Sequence, residues 1–536
     1  MKGTIKSPTI TDEEKSPLVN QLLEIIENQA ATIQAQAEQI QKLKDEIARL
    51  KNQPPRPNIK PSSLRKNKKS TSKKTKGKRP GSKKRSKTAK LEIHETKPIE
   101  PEYIPAGSEF KYYRSFVVQD LKIYNHNIRY RLKVYQTPDG EYVTGKLPAY
   151  LNNEHFGPTL ICFIVYQYYH CHVTQPLLFE QLQELGIDIS KGKLNHILIE
   201  NKERYHQEKD RILSVGLQVS SYINVDDTGA RHKGKNGYCT HIGNQYFSWF
   251  KSTESKSRIN FLKLLRAGYS DSAINMDAVG YMQANKLPQT ALGPIIKHHG
   301  MIFANDDQWI DFLAQHGIVK ARHVQIATEG VLIGSIIEHG ISENLVIVSD
   351  DAGQFNVLLH ALCWIHANRA IDKIIPFTEQ AKKDLESVKD QIWRLYKGLK
   401  QYKENPNTTD KKRLQTMFDV IFTQKTACAT LNAALGRILN NKFELLLVLE
   451  RPDIPLHNNG SERDIREYVK KRKISGSTRS DNGRKCRDTF TSLKKTCRKL
   501  GVSFWQYLKD RIEKTNLIPD LPDLIQQCSQ QALSPG

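Results

Sequence analysis

Two short apolar runs, far apart in the chain, each end abruptly in a pair of aspartates: Tyr222-Ile-Asn-Val-Asp-Asp-Thr-Gly229 and Leu345-Val-Ile-Val-Ser-Asp-Asp351. A third segment, Ile454-Pro-Leu-His-Asn-Asn-Gly-Ser-Glu-Arg463, is a turn signal followed by an acid at a helix start. Val- and Ile-rich runs of this length read as buried strands. A carboxylate at the end of such a strand is costly unless something pairs with it. Two strand ends and one helix carboxylate make an oxygen-only cage of the kind a hard divalent cation prefers. Side-chain alternation puts Ile223 and Val225 on one face and Asn224 with Asp226 on the other, so Asp226 is expected to close its strand and Asp227 to begin the turn. The same reasoning favours Asp350 over Asp351. Near Glu462, the rival acids Asp464 and Glu467 point to other faces of the helix.

Charge indicates what such a site would act on. The chain has 536 residues and a net charge of +25, and residues 56–90 alone carry 16 Lys and Arg with no Asp or Glu. A solvated basic arm of this kind favours polyanions, nucleic acid first. No apolar run approaches the roughly 18 residues of a membrane span, and Met1-Lys-Gly-Thr-Ile-Lys lacks the apolar core of a signal peptide. The eight cysteines form no Cys-x-x-Cys pair, so neither a zinc ribbon nor a disulfide framework is indicated and a reducing cytoplasm is expected.

The chain divides by composition. Residues 1–53 contain a heptad seam, with Val19, Ile26, Ile33, Ile40 and Ile47 at one position and Leu22, Gln29, Gln36, Leu43 and Leu50 at the other. β-branched residues at the first position and Leu at the second favour a parallel two-stranded coil, and hence self-association, over a lone amphipathic helix. Pro54-Pro55 ends it. Residues 54–95 form a basic linker that cannot bury a core. Residues 96–150 alternate apolar and polar, as in Phe116–Ile123 and Tyr130–Tyr135, and are expected to form a small β unit turning at Pro138-Asp-Gly140. Residues 151–215 read as helical. Their helix starts at Thr174-Gln-Pro and Ser190-Lys-Gly fit a helix-turn-helix DNA reader and a helical spacer equally.

From residue 216 to 375, three strands, a helix near 257–266, a mixed stretch at 268–340, a strand at 345–349 and a helix through Ala361–Arg369 are expected. A helical insertion at 376–450, broken at Asn405-Pro-Asn407, precedes the final segment at 451–515, which carries the acidic helix, and a tail at 516–536. This order is that of a ribonuclease-H-like α/β core with a helical insertion before its last acid.

Phosphodiester transfer needs an activated oxygen nucleophile and relief of charge on the leaving oxygen, and two metal ions held by three carboxylates supply both. Asp226, Asp350 and Glu462 are the candidates. The cations that follow, Arg463, Arg466, Lys470, Lys471, Arg472, Lys473 and Arg479, are placed to grip phosphates. A solvated helix face is the plainer reading of that run. Trp249, Trp364 and Trp393 read as core rather than base-stacking residues. Cys363-x-x-His366 supplies two ligands where zinc needs four, so Cys363, His366 and Arg369 read as packing and support behind the carboxylates.

At this point the residues resemble a known family. Ile454–Arg466, with Arg472-Lys473 and Phe504-Trp-Gln-Tyr-Leu508, is similar to the C-terminal signature of the insertion-sequence-66 family of bacterial transposases. Val225-Asp-Asp-Thr-Gly, Ser349-Asp-Asp-Ala-Gly-Gln-Phe and Cys363-Trp-Ile-His-Ala-Asn-Arg369 resemble its acidic blocks. The resemblance implies a DDE transposase that uses two Mg²⁺ or Mn²⁺ ions on Asp226, Asp350 and Glu462 to cut element ends and join them to target DNA. It implies double-stranded DNA as partner, pairing of copies through the coil, helper proteins of the same element, and a place in the bacterial cytoplasm at the nucleoid. Two departures stand out: no zinc module follows the basic arm, and His457 stands where relatives often have Asp. The competing readings are a ribonuclease-H-like nuclease or resolvase without strand transfer, and a non-enzymatic coiled-coil DNA-binding protein. Against the last, Pro54, Pro55 and Pro57 interrupt the continuous helix such proteins use.

Overall fold

The computed structural model describes residues 91–148, 151 and 154–533, with ten isolated helical positions between Val19 and Gln39. Of the heptad seam, only Val19, Ile26, Gln29 and Gln36 are among them. The remaining seam positions and the arm at 56–90 lie outside the described residues.

The Val/Ile runs do form strands, and they meet in one sheet. Three strands, β3 (Tyr222–Gly229), β4 (Tyr238–Gly243) and β5 (Ser248–Thr253), pair antiparallel; β8 (Val346–Ser349) and β9 (Leu359–Leu362) run parallel to β3. The order across the sheet is β5-β4-β3-β8-β9. β9 corrects the sequence reading, which placed Ala361 and Leu362 in a helix. They close a short parallel strand, and the helix begins at Trp364. β3 also runs further than expected. It stays paired with β4 through Gly229, so Asp226 lies inside the strand and Asp227 does not begin a turn.

Before the sheet come a small hairpin of β1 (Val134–Gln136) and β2 (Tyr142–Thr144), then four helices: α1 (Pro158–Tyr169), α2 (Gln175–Glu184), α3 (Lys191–Ile199) and α4 (Glu203–Gln218). The expected helix starts are present, with Ser190 capping α3 through the Lys193 N–H. The expected β unit shrinks to this hairpin. Phe116–Ile123 forms no strand, because alternation alone does not hold strands that have no second layer to cover them. Of the described residues, 91–128 and 184–187 form a unit of their own. Apart from Glu184, which ends α2, it lacks regular secondary structure and leaves Phe110, Phe116, Leu121 and Tyr124 exposed.

Between β5 and β8 the mixed stretch resolves into a module. It follows α5 (Arg258–Leu265) and comprises β6 (Ser272–Ala273), α6 (Met276–Ala284), α7 (Gln289–Lys297), β7 (Ile302–Phe303), α8 (Asp306–Gln315) and α9 (Ala321–Glu338). It has its own core, built on Met282, Leu292, Trp309, Phe312 and Val331. After β9, α10 (Trp364–Asp372) leads into α11 (Glu379–Glu404), α12 (Thr408–Thr423), α13 (Ala429–Asn440) and α14 (Lys442–Leu446), whose apolar faces share a core with Val346 and Val348 of β8. The chain ends in α15 (Asn459–Ser475), α16 (Asp481–Lys499), α17 (Phe504–Glu513) and α18 (Leu521–Leu533). Among the described residues, no helix is long and apolar enough to cross a membrane.

α16 is buried along Cys486–Cys497, polar residues included. The reason is β5, an edge strand with one row of N–H groups pointing out of the sheet. Three side chains of α16 accept them: Thr496 Oγ1 from Ser248 (3.1 Å), Ser492 Oγ from Phe250 (2.9 Å) and Asp488 Oδ2 from Ser252 (2.7 Å). Residues four apart on a helix rise about 6.0 Å, and residues two apart on a strand about 6.6 Å, so the two rows match. Replacing Ser492 with Ala strands the buried Phe250 N–H. It is expected to destabilise the fold by about 1–3 kcal/mol, read as a lower urea midpoint at unchanged slope.

Candidate active site

The parallel pairing of β3 with β8 ends at Asn224↔Val348. Asp226 and Asp350 are each two residues further on, so the splaying strands carry both acids to the same level. Glu462 comes down on them from the first turn of α15. The helix is held there by Asn458: its Nδ2 donates to the Val225 carbonyl (2.7 Å), its Oδ1 accepts from Asn224 Nδ2 (3.0 Å), and its backbone N–H donates to Cys363 Sγ (3.2 Å).

The three acids feel one another. Burial first, then the Asp350 carboxylate, pushes Asp226 up to about 7, with Glu462 adding to the rise. Asp350 Oδ1 and Glu462 Oε1 are buried without a hydrogen-bond partner. The rival acids are all occupied. Gln354 Nε2 donates to Asp227 Oδ2 (2.7 Å), and Asn441 bonds Asp351. Glu467 accepts from Lys494 at 2.7 Å and lies 2.7 Å from His172 Nε2. Asp464 pairs with Lys495 (2.8 Å) and Lys499 (2.6 Å). Against the cost of burial, His241 and these two lysines hold Asp464 well below the usual carboxylate range.

Behind Glu462 stands α10. Arg369 Nη1 donates to His366 Nε2 (2.7 Å), which leaves the ring proton on Nδ1, 3.7 Å from Glu462 Oε1. Burial and the Arg369 charge lower the His366 pKa, so the ring stays neutral. Arg369 Nη2 lies 3.5 Å from the same oxygen and Arg466 Nη2 3.9 Å from the other. Among the described residues, no three His, Cys, Asp or Glu side chains are grouped closely enough to hold a metal ion. Asp226, Asp350 and Glu462 are therefore not closed to liganding distance of one another. Their chemistry nonetheless fits a hard cation: the donors are all oxygen, one oxygen of Asp350 and one of Glu462 are buried without a hydrogen-bond partner, and burial, then the charge of Asp350, raises Asp226.

The basic residues divide. Arg463, Arg466, Lys470 and Lys473 are exposed and fall on one stripe of α15, with Arg479 exposed beyond its end. Lys471 leaves the set. It is buried, its Nζ donates to the Tyr168 carbonyl (2.7 Å) and sits 3.5 Å from the centre of that ring, and burial brings its ammonium down to about 7. Arg472 also turns inward, to Thr228 Oγ1 (3.1 Å) and the Gly229 carbonyl, where it pins the end of β3. Trp249 and Trp364 are buried and Trp393 is 45% exposed.

Residues 335–486 match the model of the transposase IS66 family. That span holds β8 with Asp350, the Cys363–Arg369 block and Glu462, and leaves Asp226 outside. Over 303 residues, 56% of its length, the chain is 44% identical to the uncharacterized protein y4jO of Sinorhizobium fredii (strain NBRC 101917 / NGR234), covering 94% of that protein. The chain belongs to the IS66 transposase family. Within this IS66 chain, the sequence reading had missed Asn224, the Asn458 carboxamide and a buried line that seats α15. In that line Ser461 Oγ lies 2.6 Å from His241 Nδ1, His241 Nε2 lies 2.7 Å from Ser248 Oγ, and Ser248 Oγ donates to Asp464 (3.1 Å). Asn458-Asn459 reads in the sequence as a turn and as part of the family signature, neither of which shows the contacts of its carboxamide, and His241 has no local signal.

Asp226 binds a proton in the folded state up to about pH 7 that the unfolded chain releases near its ordinary value of 3.8. Its contribution to stability therefore falls as pH rises through that window. In chelator, Asp226→Asn is expected to raise the thermal midpoint most at pH 8 and by less at pH 5, which lies inside that window, as followed by circular dichroism.

Proposed function

We propose that this chain is a DNA transposase of a bacterial insertion sequence, which cuts element ends and joins the freed 3′ hydroxyls to target DNA at one site formed by Asp226, Asp350 and Glu462. The observation that carries this reading is the approach of three acids from three distant segments, where the pairing of β3 with β8 ends, with the charges of Asp350 and Glu462 both felt at Asp226. The sheet supports a ribonuclease-H-like core: three antiparallel strands, then two parallel ones, with the first strand central.

Asp226, Asp350 and Glu462 would hold two Mg²⁺ or Mn²⁺ ions, which when bound activate an attacking oxygen and offset charge on a leaving one. The chain's own groups prepare the place. Asp226 gives up its proton on the way to a loaded site. The Arg369 bond to His366 Nε2 leaves the ring proton on Nδ1, 3.7 Å from Glu462 Oε1 and not hydrogen-bonded to it. The stripe of Arg463, Arg466, Lys470 and Lys473, with Arg479, would fix double-stranded DNA by its phosphates beside the acids, while Lys471 and Arg472 support α15 from behind. The N-terminal heptads would pair copies so that two ends are handled together. Helper proteins of the same element, and a place at the bacterial nucleoid, fit this role.

Asp226→Ala, Asp350→Ala and Glu462→Gln are each expected to abolish Mg²⁺-dependent cleavage of an element-end duplex with little change in its affinity. Activity in Asp226→Ala and none in Asp227→Ala would reassign the first acid. Nicked but never joined product from the intact protein would reduce the reading to a nuclease. Full cleavage by all three variants would put the chemistry at other residues, and no cleavage by the intact protein, with DNA binding that needs no Mg²⁺ and survives loss of the acids, would leave only a DNA-binding protein.

The arm at 56–90 should supply affinity that ignores sequence. Each phosphate contact adds about 0.9 to the slope of log affinity against log salt, so removing the arm should flatten that slope while keeping any preference between specific and random duplexes. An unaltered slope with lost discrimination would mean that the arm reads sequence.

A further inference from the structure

We propose that the module at 268–340 is a brace for the loop carrying Asp350, and that Arg258, Glu329 and Tyr281 are positioning residues for that acid. The proposal rests on Asp350 being a working acid, as set out above. Asp350 stands at the mouth of a short loop, Asp350-Asp-Ala-Gly-Gln-Phe355, and the loop is held from two sides. On the sheet side, Gln354 donates to Asp227 of β3 (2.7 Å). On the other side stands α5. Its first residue, Arg258, donates from Nη2 to the Gly353 carbonyl (2.7 Å), and its Phe261 meets Phe355 edge-on at 5.0 Å.

Arg258 reaches the loop because the module fixes its other end. Its Nη1 points at Tyr281 Oη (3.2 Å) and Glu329 Oε2 (3.4 Å). Tyr281 Oη donates to the same carboxylate oxygen (2.6 Å), and Gln325 Nε2 donates to the other (2.9 Å). Glu329 is 2% exposed, so its charge is compensated by this one guanidinium and its hydrogen bonds. A buried carboxylate held this way fixes the plane of the guanidinium and therefore the direction of the remaining N–H groups. Tyr281 belongs to α6, and Gln325 and Glu329 to α9. These helices are packed around the module's own core, so the anchor is a rigid body. A contact that served only to fasten the module would need no bond to the loop beyond Asp350.

The test uses the full chain, with Mn²⁺ alone as the probe. Amide exchange is read in peptides covering 346–357 and, as an internal reference, α8. Losing a hydrogen bond from a charged group should speed exchange across 350–356 by about tenfold. Arg258→Met is expected to do this and to weaken Mn²⁺ binding, followed by electron paramagnetic resonance, to a similar degree, with α8 exchange and DNA affinity unchanged. Arg258→Lys should restore part of both. Glu329→Gln, close to isosteric, and Tyr281→Phe should shift both the same way by less, and they carry the test if Arg258→Met does not fold. Asp350→Asn separates the two readings: if it leaves Mn²⁺ binding intact, the site assignment fails. If it abolishes Mn²⁺ binding while the Arg258 and Glu329 variants match the wild type in loop exchange and Mn²⁺ affinity, the brace is overturned. Faster exchange in α8 as well would overturn it too, since Arg258 would then only fasten the module.

Discussion

The buried carboxamide of Asn458 is the junction on which the candidate site depends. One side chain grips β3 twice, at Val225 and Asn224, while the backbone of the same residue binds Cys363 at the start of α10. A carboxamide suits this place because it donates and accepts at once, which neither a carboxylate nor an apolar side chain of that size does. Because Asn458 also precedes the first turn of α15, the grip sets the height of Glu462 above Asp226. The tie to Cys363 brings in the helix bearing His366 and Arg369. Segments far apart in sequence thus share one fixed point, and a buried unpaired group would be the cost of losing any part of it.

What was legible in the sequence was local. Val/Ile runs ending in acid announce β3 and β8 because alternation and β-branching need only a few neighbouring residues. The turn residues before Glu462 announced the start of its helix, and Ser190 marked its own by capping chemistry. What was not legible depended on distant partners. Ala361 and Leu362 sit in a four-residue parallel strand buried on both faces, and without a polar–apolar alternation nothing separates such a strand from the start of the helix behind it. α9 is buried on all sides from Ile326 to Ile336, so it has no polar face to betray its period. Lys471 looks like its neighbours until Tyr168 accepts it. Phe116–Ile123 erred in the opposite direction, with a strand-like pattern and no layer to complete it.

The brace and the junction act on different acids. Asn458 governs where Asp226 and Glu462 stand, through β3 and α15. Arg258 governs the loop of Asp350, through an insertion outside most of the span matched by the family model. Binding energy of the ordinary kind, hydrogen bonds and one ion pair, is spent on holding like charges near one another, with cations of the polypeptide within 4 Å of Glu462.

The seal of β5 by α16 has a geometric limit. Each rung of the helix falls short of each rung of the strand by about 0.6 Å. Over three rungs the mismatch builds to little more than an ångström, which bond lengths between 2.7 and 3.1 Å absorb. A fourth rung would add a further step, beyond what a hydrogen bond of normal length tolerates. A straight helix can therefore close only a short strand in this way. Six residues, with three outward N–H groups, is close to the longest edge that this device can guard, so any homologue with a longer β5 should bend one element, insert a bulge, or cover the surplus N–H by other means.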